Sequence, residues 1–172
     1  MSEIKTLYQG QFLALYRDRH WEYVSRVKAR GAAFILAVTE ARELVLVEQY
    51  RIPVRGRTIE LPAGIIGDEA EHAGETIETA ALRELEEETG FRGASAELVM
   101  TGPNGPGLTS EMLHLVRARG LKRVGEGGGV GGEDITVHLA SLAGIEAWLK
   151  QQEAQGKWID PRIYMALWFA DR

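Results

Sequence analysis

Apolar and polar residues alternate between Tyr8 and Val27, the period-two pattern of half-buried strands. The polar break near Asp18–Arg19 predicts two strands joined there. Trp21 and Tyr23 then share one face, where they cover a half-buried hairpin, pack on a partner subunit or stack on a base. Gly31–Thr39 (GAAFILAVT) is continuously apolar and too short for a useful helix, so it reads as a buried strand. Leu44–Gln49 reads as another, with Glu40–Glu43 as the turn between them, and Pro53 and Gly56 then break the chain. From Thr76 to Thr89 the period is helical, and Gly90 follows as a residue able to take the left-handed conformation that ends helices.

Strands are predicted again at Ala96–Thr101 and Glu111–Arg119, the second with Met112, Leu115 and Val116 partly out of phase, as at a bulge. Between them Gly102–Ser110 is too rich in Gly and Pro for regular structure. Gly125–Gly132 (GEGGGVGG) has no core-forming residue except Val130 and needs a ligand or neighbour to order it. A strand follows over Glu133–Leu139. Ser141 then caps a helix with the stripe Leu142, Ile145, Trp148 and Leu149, ended by Gly156. Asp160-Pro161 opens a last helix carrying Ile163, Tyr164, Leu167 and Trp168. This order predicts an α+β chain folded as an α/β/α sandwich.

At 172 residues, 45% of them apolar and 26% charged, the chain suits one soluble domain. Its net charge of −5 counts against an extended nucleic-acid partner, which calls for a basic stripe. The absence of Cys excludes disulfides, thiolate metal sites and a Cys nucleophile. Met1–Gly10 lacks a secretory apolar core, and no run approaches the roughly 20 apolar residues that span a membrane. A cytoplasmic location is the expectation.

Candidate chemistry concentrates in Ala81–Phe91 (ALRELEEETGF). Glu84, Glu87 and Glu88 stand at i, i+3 and i+4 on one helix face, where like charges repel. At about 100° per residue, Glu84 and Glu88 fall within roughly 20° of Ile77, so they extend the inward-facing stripe. Inward carboxylates are costly unless paired or bound to a cation, and a hard divalent ion prefers oxygen ligands. Arg83 matches only part of this charge. Arg51, just past a strand end, is a planar cation of the type that grips phosphate bidentately.

The string Arg83-Glu84-Leu85-Glu86-Glu87-Glu88-Thr89-Gly90-Phe91 resembles the core of the Nudix box, and Glu75 precedes Arg83 by the family's seven residues. Ten residues separate Gly64 from Glu75, more than the family pattern has, and Asp68–His72 is read as the extra segment. Pro106, sixteen residues beyond Gly90, resembles the ADP-ribose pyrophosphatase branch. The resemblance implies a single Nudix domain over residues 1–172, with N-terminal strands (1–40) serving dimerisation. It implies hydrolysis of the pyrophosphate bond of ADP-ribose or a nucleoside diphosphate sugar, with Mg²⁺ or Mn²⁺ held by Glu84, Glu87, Glu88 and the Ala63 carbonyl. Arg51, Glu60 and Pro106 would contact substrate, as would Trp21 and Tyr23 through a homodimer. The general base would come from the acids before the late strand, Glu133 ahead of Asp134, with Glu87 also in the catalytic set. Two other functions fit the same residues: cleavage of dinucleoside polyphosphates or capped RNA, or nucleotide sensing without catalysis. A sensing module would be expected to lose box acids, and this chain keeps them.

Overall fold

The computed structural model describes residues 3–29, 31–67 and 74–171. The chain begins with an antiparallel sheet of β1 (Lys5–Gln9), β2 (Leu13–Asp18) and β3 (Trp21–Arg26), in that spatial order. There are thus three strands where alternation predicted two. Most of KTLYQ in β1 is exposed, so this edge strand carries no buried face for a pattern to reveal. The turn does lie at Asp18–His20, with Arg19 at a φ of 54°.

The core strand is β4 (Ala32–Ala37), buried along its whole length. It lies within residues 1–40 but belongs to the central sheet, so the N-terminal sheet ends at Arg26. Next come β5 (Glu43–Arg51), a 3₁₀ turn at Ile52–Val54 and β6 (Gly56–Glu60), with β7 (Ala63–Ile65) after it. Pro53 and Gly56 therefore mark a hairpin turn within a sheet. The extra segment Asp68–His72 lies outside the described residues.

The acidic helix is α1 (Ile77–Thr89), capped by the Thr76 side chain, which accepts from the Thr79 amide, and closed by Gly90 at a φ of 71°. β8 (Phe91–Arg92), β9 (Ser95–Pro103), β10 (Met112–Arg119) and β11 (Lys122–Arg123) follow. The predicted bulge is present: pairing of β10 with β9 shifts register between Leu115 and Val116. The C-terminal part comprises β12 (Thr136–Ser141), a 3₁₀ turn at Leu142–Gly144, α2 (Ile145–Ala154), β13 (Trp158–Ile159) and α3 (Arg162–Ala170). Ser141 makes no side-chain cap, and the 3₁₀ turn separates it from α2. At α3 the N-cap position is Pro161 rather than Asp160, and the Asp160 side chain, one residue earlier, accepts from the Arg162 amide at 2.9 Å. Among the described residues no helix is long and apolar enough to cross a membrane.

Two four-stranded mixed sheets, β7-β4-β10-β9 and β12-β5-β6-β13, form the middle layer. Strand alternation then sorts the core. Ala33, Ile35 and Ala37 of β4 pack with Ala80, Ala81 and Leu85 of α1. Phe34 and Leu36 pack with Leu149 of α2 and Ile163 and Ala166 of α3. The result is the expected α/β/α sandwich. Burying a Leu such as Leu85 completely stabilises the fold by about 1.5–3 kcal/mol, so α1 is fixed firmly against the sheet. Tyr164 and Trp168, expected in the final helix's apolar stripe, are more than half exposed.

Candidate active site

Strand parity decides which side chains of the β5–β6 hairpin meet. Gln49, Arg51, Thr58 and Glu60 face an open cleft of about 900 Å³, also lined by Ala63, Gly64, Arg83, Glu84, Glu87, Glu88 and Glu133. Residues far apart in sequence thus converge on one face of the β5–β6 hairpin, where β7 begins and α1 passes.

Arg51 does not project alone. Its Nε and Nη2 donate to the two Glu60 oxygens at 2.8 and 2.6 Å, and the Thr58 hydroxyl donates to Glu60 as well. Burial opposes ionisation of Glu60, but the bonds from Arg51 and Thr58 outweigh it and hold the carboxyl below its ordinary range. Arg51 stays about half exposed toward the cleft, with Glu60 locking its orientation.

On α1 the acids occupy different environments. The Arg83 guanidinium donates to Glu84 at 3.0 Å, to Glu87 at 3.1 Å and to both oxygens of Glu75 at 3.3 and 3.4 Å. Glu88 is buried and accepts from the Ala63 amide at 3.0 Å. Its carboxyl is pushed up to about 8, chiefly by burial, reinforced by the charges of Glu84 and Glu133 and only partly offset by the Ala63 bond and Arg51. Gly64 makes room for this arrangement: a Cβ there would stand 2.0 Å from the Glu84 Cγ. No residue larger than Gly fits while Glu84 keeps its place.

Gly125–Gly132 finds its neighbour at the C-terminal end of α1. The Gly128 and Gly129 amides donate to the carbonyls of Glu88 and Glu87 at 2.9 and 3.1 Å, which the helix end leaves without intrahelical partners. A Cβ on Gly127 would lie 2.4 Å from the Thr89 carbonyl carbon, so backbone packs on backbone. This run leads to Glu133, which lines the cleft and accepts from the Val130 amide at 3.0 Å. Asp134 turns away and pairs with Arg57 at 2.8 Å. Geometry therefore separates the two acids that sequence alone left adjacent.

Trp21, Tyr23 and Pro106 do not line the cleft. Trp21 is half exposed, and Tyr23 packs on Tyr16 with ring centroids 5.7 Å apart. Several lining residues carried no sequence signal. Arg26 donates to Glu111, which also accepts from Asn104 at 2.7 Å, and Arg162 lies over the Phe34 ring at 3.9 Å. Trp158, on the sheet edge, exposes its ring at the rim. Each is set by pairings between distant segments; the aromatic Trp158 just before Asp160-Pro161 was the one available hint.

Among the described residues no three His, Asp or Glu side chains are already gathered as a cation site; Arg83 holds three of the acids instead. The donors nevertheless fit a hard divalent ion. They are carboxylates, and burial beside like charge leaves Glu88 without enough positive charge nearby to ionise at its ordinary pH.

A NUDIX domain profile matches residues 28–167. The methanol dehydrogenase activator of Bacillus methanolicus is 37% identical over 121 residues, 70% of this chain and 62% of that protein. The ADP-ribose pyrophosphatase of Saccharomyces cerevisiae is 40% identical over 109 residues, 58% of this chain and 45% of that protein. The chain thus spans less than two thirds of either relative's length. An ADP compounds hydrolase of known structure superposes with a TM-score of 0.69 at 19% identity, covering 86% of this chain and 80% of that one, and so shares the fold.

Proposed function

Because this chain belongs to the Nudix family, whose hydrolases generally use divalent metals, we propose that it hydrolyses the pyrophosphate bond of ADP-ribose or a nucleoside diphosphate sugar. The products are a nucleoside monophosphate and a sugar phosphate. The observation that carries this reading is the convergence of Glu84, Glu87, Glu88 and Glu133 with Arg51 and Arg83 on one cleft. Mg²⁺ is the working ion, with Mn²⁺ as a substitute, held by Glu84, Glu87, Glu88 and the Ala63 carbonyl. When bound, such an ion supplies charge neutralisation and Lewis acidity at the diphosphate.

The chain's own groups do the rest. Arg51, oriented by Glu60, takes one phosphate while its other face stays on the carboxylate. Arg83 keeps Glu84 and Glu87 aligned. Glu133 accepts the proton of the attacking water, since it is the acid that the loop presents to the cleft. Trp21 and Tyr23, on an N-terminal sheet that also exposes Tyr8, Phe12 and Leu13, serve a homodimer and reach the partner's nucleotide, with Pro106 shaping the nearby loop. The protein is cytoplasmic in this reading and acts on small nucleotides, not nucleic acid.

Incubation with Mg²⁺ and a panel of ADP-ribose, nucleotide sugars and dinucleoside polyphosphates tests this. A nucleoside monophosphate should arise from one of the first two groups. Glu88→Gln should lower kcat by about 10²- to 10³-fold, the scale for removing one preorganised charge from an active site. Cleavage of dinucleoside polyphosphates alone would move the substrate assignment, and binding without turnover would make the chain a sensor.

A further inference from the structure

The Gly-rich run that delivers Glu133 is anchored at one end by α1. Its other end is tied to the face of the β5–β6 hairpin turned away from the cleft. Arg57 donates from Nη1 to the Asp134 carboxylate at 2.8 Å and from Nη2 to the Asp134 carbonyl at 3.5 Å. Its Nε donates to Glu48 at 2.5 Å. Glu48 is itself held by Lys157 Nζ at 2.7 Å and His138 Nε2 at 2.9 Å, and Lys157 is steadied by buried Gln152 at 2.7 Å.

An isolated exposed ion pair does little, because ordering two long side chains in water offsets the attraction. Arg57 differs in that its guanidinium is already fixed from behind: the Glu48 side chain is 9% exposed, that of Arg57 33% and that of Asp134 76%. Between the two anchors lie Gly131 and Gly132, both at positive φ and with nothing near the position of a Cβ. No side chain of theirs can hold the loop, so beyond the local bonds between Val130 and Glu133 the position of Glu133 depends on the ends of the run.

We propose that Arg57, braced by Glu48, is a positioning residue that clamps Asp134 and thereby fixes Glu133 at the cleft. This rests on the assignment of Glu133 as the proton acceptor. Arg57 touches no reacting atom; it selects the loop arrangement in which Glu133 points inward. A misplacement of about 1 Å can cost about 10²-fold in rate, so a clamp remote from the chemistry can carry a large effect.

The test uses Arg57→Ala, Asp134→Ala, Asp134→Asn and Glu133→Gln, with hydrogen exchange of segment 130–135 in the metal-free protein and kcat and KM for ADP-ribose with Mg²⁺. Exposed Asp134 can be replaced without threatening the fold, which covers the case in which Arg57→Ala does not fold. Arg57→Ala and Asp134→Ala should each lower kcat by about 10- to 100-fold with KM within about twofold, and speed exchange in the segment. Asp134→Asn, which keeps an acceptor, should fall between. Combined with Glu133→Gln, Asp134→Ala should cost nothing further. Unchanged kcat and exchange in Asp134→Ala, or an undiminished further loss in the Glu133→Gln background, overturns the clamp while leaving Glu133 in place. Full activity of Glu133→Gln removes the acceptor assignment and the clamp with it, whereas the Glu88→Gln result speaks to the cleft independently.

Discussion

Glu48 and Glu88 are both buried glutamates, 7% and 6% exposed, yet their acidities diverge. Burial raises both. At Glu48 that effect is overcome by bonds from Lys157, His138 and Arg57, and the carboxyl is held at about 2. At Glu88 burial dominates, Glu84 and Glu133 add to it, and the carboxyl is pushed up to about 8. The difference lies in the neighbours. Two cations, Arg57 and Lys157, and the His138 ring surround one acid on the back of the β5–β6 hairpin, whereas acids outnumber bases in the cleft. A saturated carboxylate holds structure together; an undersupplied one is free to recruit a cation.

Glu48→Gln should produce the largest stability change. It leaves Arg57, Lys157 and His138 facing one another without their shared anion, at a cost of about 3 kcal/mol, near the low end for breaking a buried ion pair because the cations keep some water. Urea unfolding at neutral pH measures it, and a loss within error of zero would mean that the network is ornamental.

Glu88 should behave in the opposite way. Its folded value, about 8, lies above the ordinary 4.5, so between these pH values the folded state holds a proton that the unfolded state has released. Stability of the metal-free protein from this group is therefore full below about 4.5, falls as pH rises and levels off above about 8. Glu48 contributes the reverse slope at lower pH, with stability present above 4.5 and lost as pH falls toward 2. Glu88→Gln should stabilise the metal-free protein by about 2 kcal/mol at pH 7.5, part of the full penalty being relieved by water. Thermal unfolding from pH 5 to 9 reads both effects, and a variant with the same slope as the parent would rule out Glu88 as their source.

Much of this contrast was legible in sequence, but unevenly. The i, i+3, i+4 spacing located Glu84, Glu87 and Glu88, and Thr76 and Gly90 bound the helix as expected, because capping and helix facing are local properties. The Glu48 cluster was not legible. Its four members come from β5, β6, β12 and the segment before β13, and strand register alone brings them together. The same reason hid the Arg51–Glu60 pair and the cleft positions of Arg26, Glu111 and Trp158. Strand β6 was missed because Pro53 and Gly56 look like an end to regular structure, when they form the turn of a hairpin. Tyr164 and Trp168 were expected inside because they are large and apolar; only Ile163 and Ala166 of α3 are buried.

Gly64→Ala tests the geometry of the undersupplied side with a smaller energetic effect. The new methyl collides with the Glu84 side chain from Cγ outward, and that side chain can swing away by changing rotamer, so stability should change little. Activity should fall by about tenfold or more because Glu84 leaves its place. Steady-state kinetics beside a melting curve separates the two, and full activity would show that the position of Glu84 is immaterial.

Glu86→Gln sets the floor of the comparison. Glu86 lies on the same helix, two residues from Glu84 and Glu88, yet it does not line the cleft and is bound by Arg92 through two bonds of 2.7 Å. Its carboxyl is lowered by the Arg92 bonds, with little opposing burial. Water surrounds the pair and screens it, so neither stability nor kcat should move measurably. Kinetics and urea unfolding on this variant therefore control for net charge on α1. A loss of activity matching that of Glu88→Gln would show that total helix charge, not placement in the cleft, governs the reaction.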